Sequence, residues 1–315
     1  MQAMLLNAFA NPGVFTLGSV DKPTPGPGQV LIRNIAAGIN PIDWKTATGG
    51  GPAALQGDFP IVLGWECAGV IESVGEQVKA YRVGDQVLGF LNFPNPARCL
   101  AEYVVADIAQ IAPKPETISF LEAGAVPLAG LTAWQSLALG GHDLANQRVL
   151  ILAGAGGVGH LAIQIAKIQG AEHVATTASG KRHELLTSLG ADACYDYNDP
   201  DALANAGQFD LIIDGMGGDT GVAQLAFLKQ EGLLVTLPSV TAEQIINAAN
   251  AQGKRAQGIR VKPNANQLRG LADAVSQGQI KVLIERSFTL DQLNDAMDLS
   301  RTGHVQGKIV IEVSC

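Results

Sequence analysis

Clustered metal ligands are missing from this chain. Its four cysteines, Cys67, Cys99, Cys194 and Cys315, stand far apart, and no CxxC pair or Cys/His cluster occurs. That scatter excludes a zinc ribbon and a disulfide framework and points to ordinary reduced thiols. Aromatic residues are scarce, at 5%, whereas glycines number 37. Small residues suit tight helix–sheet packing and close approach of the backbone to a ligand. Basic residues are outnumbered, 21 Lys and Arg against 29 Asp and Glu, for a formal net charge of −8. Phosphate backbones need clustered cations, so nucleic acid is excluded as the main partner. The opening MQAMLLNAFANPG has neither a basic stretch nor a long apolar core, and no signal peptide is expected. The apolar run from Val149 to Ala166 is broken by glycines and His160, so no membrane span is expected. The acidic balance fits a cytoplasmic enzyme better than a nucleic-acid-binding protein, and a cytoplasmic location is expected.

Hydrolytic chemistry is absent too. His142, His160, His173, His183 and His304 show no HExxH spacing, and no GxSxG elbow occurs. Most of these histidines are expected at the surface. Asp199 and Asp201 sit in a turn-rich DPD stretch, where Asp caps turns.

What is present is ample apolar material, 47% of 315 residues, enough for two medium domains. Three regimes follow one another. Up to about Lys114 the chain is strand-rich and punctuated by turns: QVLIRNIAAGIN, CAGVIESVG, DQVLGFL and AEYVVAD predict an antiparallel, barrel-like β domain. From about Glu116 to Pro263 strands and helices alternate. RVLILA, HVATTA, FDLIIDGM, GLLVTLP and GIRVKP read as strands, and HLAIQIAKIQG, KRHELLTSLG, VAQLAFLKQ and AEQIINAANAQ read as helices. This α/β alternation predicts a doubly wound parallel sheet. The last fifty residues predict a helix (Asn266 to Gln277), a strand (KVLIERSF), a helix (DQLNDAMDLSR) and a final strand (KIVIEV), a tail expected to rejoin the first domain.

The stretch GAGGVG links the strand RVLILA to the helix HLAIQIAKIQG. Gly154, Gly156 and Gly159 satisfy G-x-G-x-x-G in the strand–turn–helix context that a dinucleotide site requires. Gly154 is expected to permit the tight turn, Gly156 to let a pyrophosphate approach and Gly159 to let helix and strand pack. Gly157 completes the loop, and the helix start offers N–H groups and a positive dipole end to phosphates. The second strand runs into TTASGKRHE, with no acid at its end. An NAD site wants Asp or Glu there for the ribose 2′-OH. Here Ser179, Lys181 and Arg182 stand instead, a basic pair suited to a 2′-phosphate, so the expected cofactor is NADP(H).

The segments GINPIDWKTATG, VLGWECAGVIESVGEQVKAYRVGDQVLGF, GAVPLAGLTAWQSL, GAGGVG and GHVQGKIVIEV, in this order, resemble the medium-chain dehydrogenase/reductase superfamily, and within it the zinc-independent quinone oxidoreductase branch. The resemblance covers essentially the whole chain. It implies a GroES-like catalytic domain (1–116 with 265–315) and a Rossmann domain (117–264). It also implies NADPH-dependent reduction of a quinone or of an enone's conjugated double bond. The zinc alcohol dehydrogenases of the same superfamily provide a contrast. Asn40 stands at the position of their first Cys ligand. Trp65 replaces the His of their GHE motif, while Glu66 remains, and of the cysteine-bearing lobe after Phe90 only Cys99 is left. No metal is therefore expected.

By the same resemblance three side chains are candidates for the chemistry. Asn40 would position nicotinamide or substrate. Lys45 would polarise a carbonyl, donate a proton or bond a cofactor ribose, or else be a surface lysine that fixes Asp43 or is solvated. Trp65 would be a flat pocket wall for a ring, or fill core. Asp43 is expected to bond loop backbone. Cofactor contacts implied are Thr132, Val158, Tyr197, Leu237 and Ser239. Lys308 would bond the phosphates or the substrate, or serve structure. Gly49 to Pro60 is expected to be a mobile flank of the pocket. The Rossmann edge implies a homodimer. Two other readings stand beside this one: an enoyl-thioester reductase, and a non-catalytic NADPH-binding protein.

Overall fold

The computed structural model describes residues 1–141, 143–199 and 201–313, so His142 and Cys315 lie outside the described residues. The chain forms two compact units. The first is Met1–Leu131, Lys262–Gly278 and Val282 onward. The second is Thr132–Val261 with Gln279–Lys281.

The first unit opens with an antiparallel ribbon of β1 (Gln2–Leu6) and β2 (Phe15–Ser19). β3 (Gln29–Ile39) is long, nearly all buried, and runs straight into α1 (Pro41–Ala47). Asn40 is the extended residue before that helix, and Pro41 takes its first position, where a missing N–H costs nothing. β4 (Glu66–Val74), β5 (Gln86–Phe90), β6 (Tyr103–Asp107) and β7 (Ile111–Pro113) follow. Ser119 and Glu122 form a reciprocal capping box that starts α2 (Phe120–Ala125). The chain leaves the first unit within α3 (Pro127–Ala138).

The second unit alternates β8 (Arg148–Ile151), α4 (Gly159–Ile168), β9 (His173–Ala178), α5 (His183–Ser188), β10 (Ala193–Asp196), β11 (Phe209–Asp214), α6 (Gly218–Ala223), β12 (Leu228–Thr236), α7 (Ala242–Ala251) and β13 (Arg255–Gly258). All six strands pair in parallel, in the order β10-β9-β8-β11-β12-β13. This is the doubly wound order whose direction reverses beside its first strand, here between β8 and β11. Leu150, Leu152, Phe209, Ile212, Leu225, Leu234 and Ile245 form its buried core cluster.

The chain then returns to the first unit as α8 (Ala265–Ser276), β14 (Ile284–Thr289), α9 (Leu293–Arg301) and β15 (Lys308–Glu312). The larger sheet runs β14-β15-β3-β4-β5-β7, with β6 also on β3. β15 is antiparallel to β3 but parallel to β14, so the sheet is mixed rather than wholly antiparallel.

Several elements differ from expectation. The predicted helix VAQLAFLKQ is a helix only in its first half. Leu228 to Gln230 belong to β12, because Leu228 pairs with Phe209. The predicted strand GIRVKP lies earlier, as Arg255–Gly258, where β12 offers partners from Leu233 to Thr236. The ribbon β1–β2, the edge strand β10 and the helix α1 were not expected at all.

Candidate functional site

In the first unit a cluster of buried polar side chains sits where three strand ends meet. Ile39 closes β3, Glu66 opens β4 and Lys308 opens β15. β15 pairs with β3 through Ile309 and Ile39, and this register brings Lys308 beside Asn40. The Lys308 ammonium is 2% exposed. It donates to Ile39 O at 3.2 Å, to Asn40 Oδ1 and to Glu66 Oε1 at 2.8 Å. Three hydrogens thus meet three acceptors. Asn40 Nδ2 donates to Glu66 Oε1 at 2.6 Å, and the Leu128 backbone N–H donates to Glu66 Oε2 at 2.6 Å. Room for the carboxylate comes from Gly38, whose missing Cβ would overlap Glu66 Oε1.

Asp43 stands beside this cluster, fully buried. Its Oδ2 accepts the Asn40 N–H at 2.8 Å, so it bonds loop backbone, and Oδ1 has no partner. Burial raises its pKa to about 7; the Asn40 N–H lowers it, the Glu66 charge adds to the rise, and Lys308 opposes it.

Lys45 is half-buried on α1, and burial lowers its pKa from the ordinary lysine value. Its ammonium lies 5.4 Å from the centre of the Trp44 ring. Among the described residues it has no hydrogen bond or ion pair, so it does not fix Asp43. A half-desolvated lysine without an acceptor is a donor in reserve. Trp65 is different. It is 1% exposed, its Nε1 donates to Asn95 O at 2.9 Å, and Phe93 packs edge-on against it. A pocket wall needs an open face, so the geometry favours the core-filling alternative for Trp65. Within the segment Gly49 to Pro60, Gln56 Nε2 donates to Pro52 O at 3.1 Å and to Pro94 O at 3.0 Å.

In the second unit the expected cofactor residues gather at the carboxyl ends of the parallel strands. The glycine loop follows β8, Ser179 to Arg182 follow β9, Tyr197 follows β10, and Leu237 and Ser239 follow β12. Thr132 is buried on α3. Within the loop the left-handed residue is Ala153, with φ 55°, so the turn does not depend on Gly154 for that conformation. Gly154 is small for another reason: a Cβ would overlap the Thr176 hydroxyl, which is fixed on Ile151 O. Gly159 has no room either, because a Cβ would overlap Ala153 O and Gly154 Cα. Gly156, Gly157 and Val158 are half-exposed, and the N–H groups of Gly157 and Val158 have no backbone acceptor among the described residues. Unspent donors at a helix start fit a pyrophosphate.

Lys181 is exposed and Arg182 half-buried, so the basic pair is accessible. Sequence reasoning missed an acid beside it. Asp196 ends β10, opposite Ala178, and its Oδ2 accepts the Gly180 N–H at 2.9 Å. N–H donation, from Asn198 most and then from Gly180, holds its pKa below the ordinary carboxylate value. The histidines also depart from expectation. His160 is fully buried with Nδ1 on Gly156 O, His173 and His183 are half-buried, and His304 is exposed.

The Glu66–Lys308 contact was likewise missed. Its signal was present: each charge stands at the head of an apolar strand, and such charges are buried only when paired.

Residues 26–116 match the alcohol dehydrogenase GroES-like domain family, and residues 189–311 match the zinc-binding dehydrogenase family. The chain is 36% identical to a 2-methylene-furan-3-one reductase of Solanum lycopersicum over 90% of its length and 71% of the relative. It is 30% identical to a chloroplast envelope quinone oxidoreductase homolog of Arabidopsis thaliana, over 99% of this chain and 98% of that one. The solved quinone oxidoreductase from Coxiella burnetii superposes with a TM-score of 0.95 at 39% identity, over 100% and 99% of the two chains. The second family's name implies zinc, and the residues here do not fit it. Among the described residues no three His, Cys, Asp or Glu side chains are grouped to hold a metal. Both Glu66 oxygens already have N–H partners, and an indole N–H has no lone pair for a metal.

Proposed function

The chain belongs to the quinone oxidoreductase-like branch of the medium-chain dehydrogenase/reductase superfamily, and on that premise we propose that it transfers hydride from NADPH to a quinone or to an enone's conjugated double bond without zinc. One observation carries this reading. The polar cluster of the first unit is closed on itself by an ammonium, and its Glu66 and Asn40 oxygens are already engaged by N–H groups. An alcohol must give up its hydroxyl proton as well as a hydride, and a Lewis acid helps that loss. A conjugated acceptor carries its own electron sink and needs less of that help.

When bound, NADPH supplies a hydride from its nicotinamide ring. The protein's part is to bind, orient and finish the proton account. The Gly157 and Val158 N–H groups take the pyrophosphate, and Lys181 and Arg182 take the 2′-phosphate. Hydride addition to an enone's β-carbon leaves a negative enolate oxygen, and addition to a quinone leaves a hydroquinone anion. Lys45 is the side chain suited to that oxygen, because its ammonium is partly desolvated and uncommitted. A proton from Lys45 or from water completes the two-electron reduction.

Among the described residues no helix is long and apolar enough to cross a membrane. We extend the reading to a cytoplasmic homodimer with a small-molecule substrate; sedimentation as a monomer would remove the dimer. The central test is NADPH oxidation, beside NADH, with a small quinone and a small enone in chelator-treated buffer. Turnover with NADPH that survives chelation is expected. Turnover lost on chelation and restored by zinc would overturn the metal-free reading.

A further inference from the structure

We propose that Lys308 is the resident cation of the first unit's polar cluster and acts, clamped by Glu66, as a positioning residue that fixes the Asn40 amide and the start of α1. The inference rests on the hydride-transfer reading for its effect on rate, but its geometry stands without it.

The hydrogen count comes first. An ammonium has three N–H donors and no acceptor. Those of Lys308 go to Ile39 O, Asn40 Oδ1 and Glu66 Oε1. No hydrogen is left for a cofactor phosphate.

The Asn40 amide comes second. Its carbonyl faces the Lys308 ammonium and its NH2 faces the Glu66 carboxylate. Turned by half a rotation, it would point NH2 at the cation and C=O at the anion, two repulsive contacts in place of two attractive ones. The charged pair therefore selects one orientation. Because Lys308 and Glu66 are 2% and 0% exposed, solvent and salt screen that selection far less than they would at the surface.

The third point is what the clamp joins. Lys308 opens β15, Glu66 opens β4, Ile39 ends β3, and Leu128, near the start of α3, holds the second Glu66 oxygen. Asn40 is both a member of the cluster and the residue from which α1 starts, and α1 carries Lys45. A shift of the ammonium would move the end of β3 and the first turn of α1 together. Gly38 points the same way: a Cβ there would overlap Glu66 Oε1, the oxygen that meets Lys308, as well as the Gly124 carbonyl.

The role can be separated from two others, cofactor binding and plain stability. Lys308→Ala removes the atoms of n-propylammonium. At saturating NADPH, its kcat with a quinone is expected to fall about tenfold or more. Its NADPH dissociation constant, read by cofactor fluorescence, is expected to stay within about twofold of the parent's. Added n-propylammonium should restore part of kcat, whereas tetramethylammonium at equal ionic strength should not. A weakened NADPH affinity with unchanged kcat would make Lys308 a cofactor ligand and overturn the proposal. So would an unchanged kcat with unchanged affinity, or a lowered kcat that n-propylammonium does not lift.

A second variant deals with folding. Replacing both members of a buried ion pair is often tolerated where removing one is not. Glu66→Gln with Lys308→Met is expected to melt near the parent's temperature while kcat stays low. A folded double variant with the parent's kcat would show that the charges position nothing. If the parent itself reduces no acceptor, the hydride-transfer reading fails separately. The cation site is then read from melting temperature alone: Lys308→Ala stabilised by n-propylammonium and not by tetramethylammonium upholds it, and equal effects overturn it.

Discussion

Asp43 is the residue at which pH should be felt. Its carboxyl is buried beside Glu66, and its pKa rises to about 7. The unfolded chain would release that proton near an ordinary carboxylate value, about 4. Between these values the folded state binds more protons than the unfolded state. Stability attributable to Asp43 therefore falls as pH rises from about 4 and levels off above about 7, by an amount on the order of 4 kcal/mol. Asp43→Asn imitates the neutral form: it keeps an acceptor for the Asn40 N–H and puts an amide where the unpartnered Oδ1 stands. The melting temperature of the parent is expected to drop between pH 5 and 8 more than that of Asp43→Asn, with the variant ahead at pH 8. Equal slopes would assign the titration to another group.

At the scale of elements, the turn after β9 is the proposed site of the 2′-phosphate. Lys181 and Arg182 form its accessible cations, and Asp196 closes it through the Gly180 N–H. Replacing both cations by Glu is expected to weaken NADPH by about a hundredfold and NADH by less than about threefold. Binding titrations with the two cofactors would check this, and equal weakening would remove the 2′-phosphate assignment. The same scale shows what the sequence could reveal. β8, β9, β11 and β12 were legible because their apolar runs are buried over most of their length. β10 was not, because an edge strand reading ACYD is only half-buried throughout and shows no apolar run. α1 was hidden by its shortness, seven residues, although Asn40, Pro41 and Asp43 are each a helix-start signal. The glycine loop could be located but its roles could not be fully divided, since the left-handed residue is an alanine. The polar cluster was the least legible part. Lys308 is separated from its partners by 269, 268 and 242 residues. No local pattern encodes such a distance, and Asn40 was reached by resemblance alone.

For the whole molecule, the order of the chain and the order of the sheets differ between the two units. The second unit takes all six of its strands from one continuous stretch, Thr132–Val261. The first unit keeps a place in its sheet for β15, between β3 and β14, and β15 ends at Glu312 of 315 residues. A chain stopped at Gln306 is expected to retain NADPH binding, read by cofactor fluorescence, and to lose acceptor reduction completely. Loss of both together would show that the units cannot fold apart. β15 comes last of the described strands, and it is the strand that joins β3 to β14. The cation that closes the polar cluster rides on the first residue of that strand. A chain cut before that strand is therefore expected to leave the second unit's sheet whole while the first unit's sheet loses the link between β3 and β14.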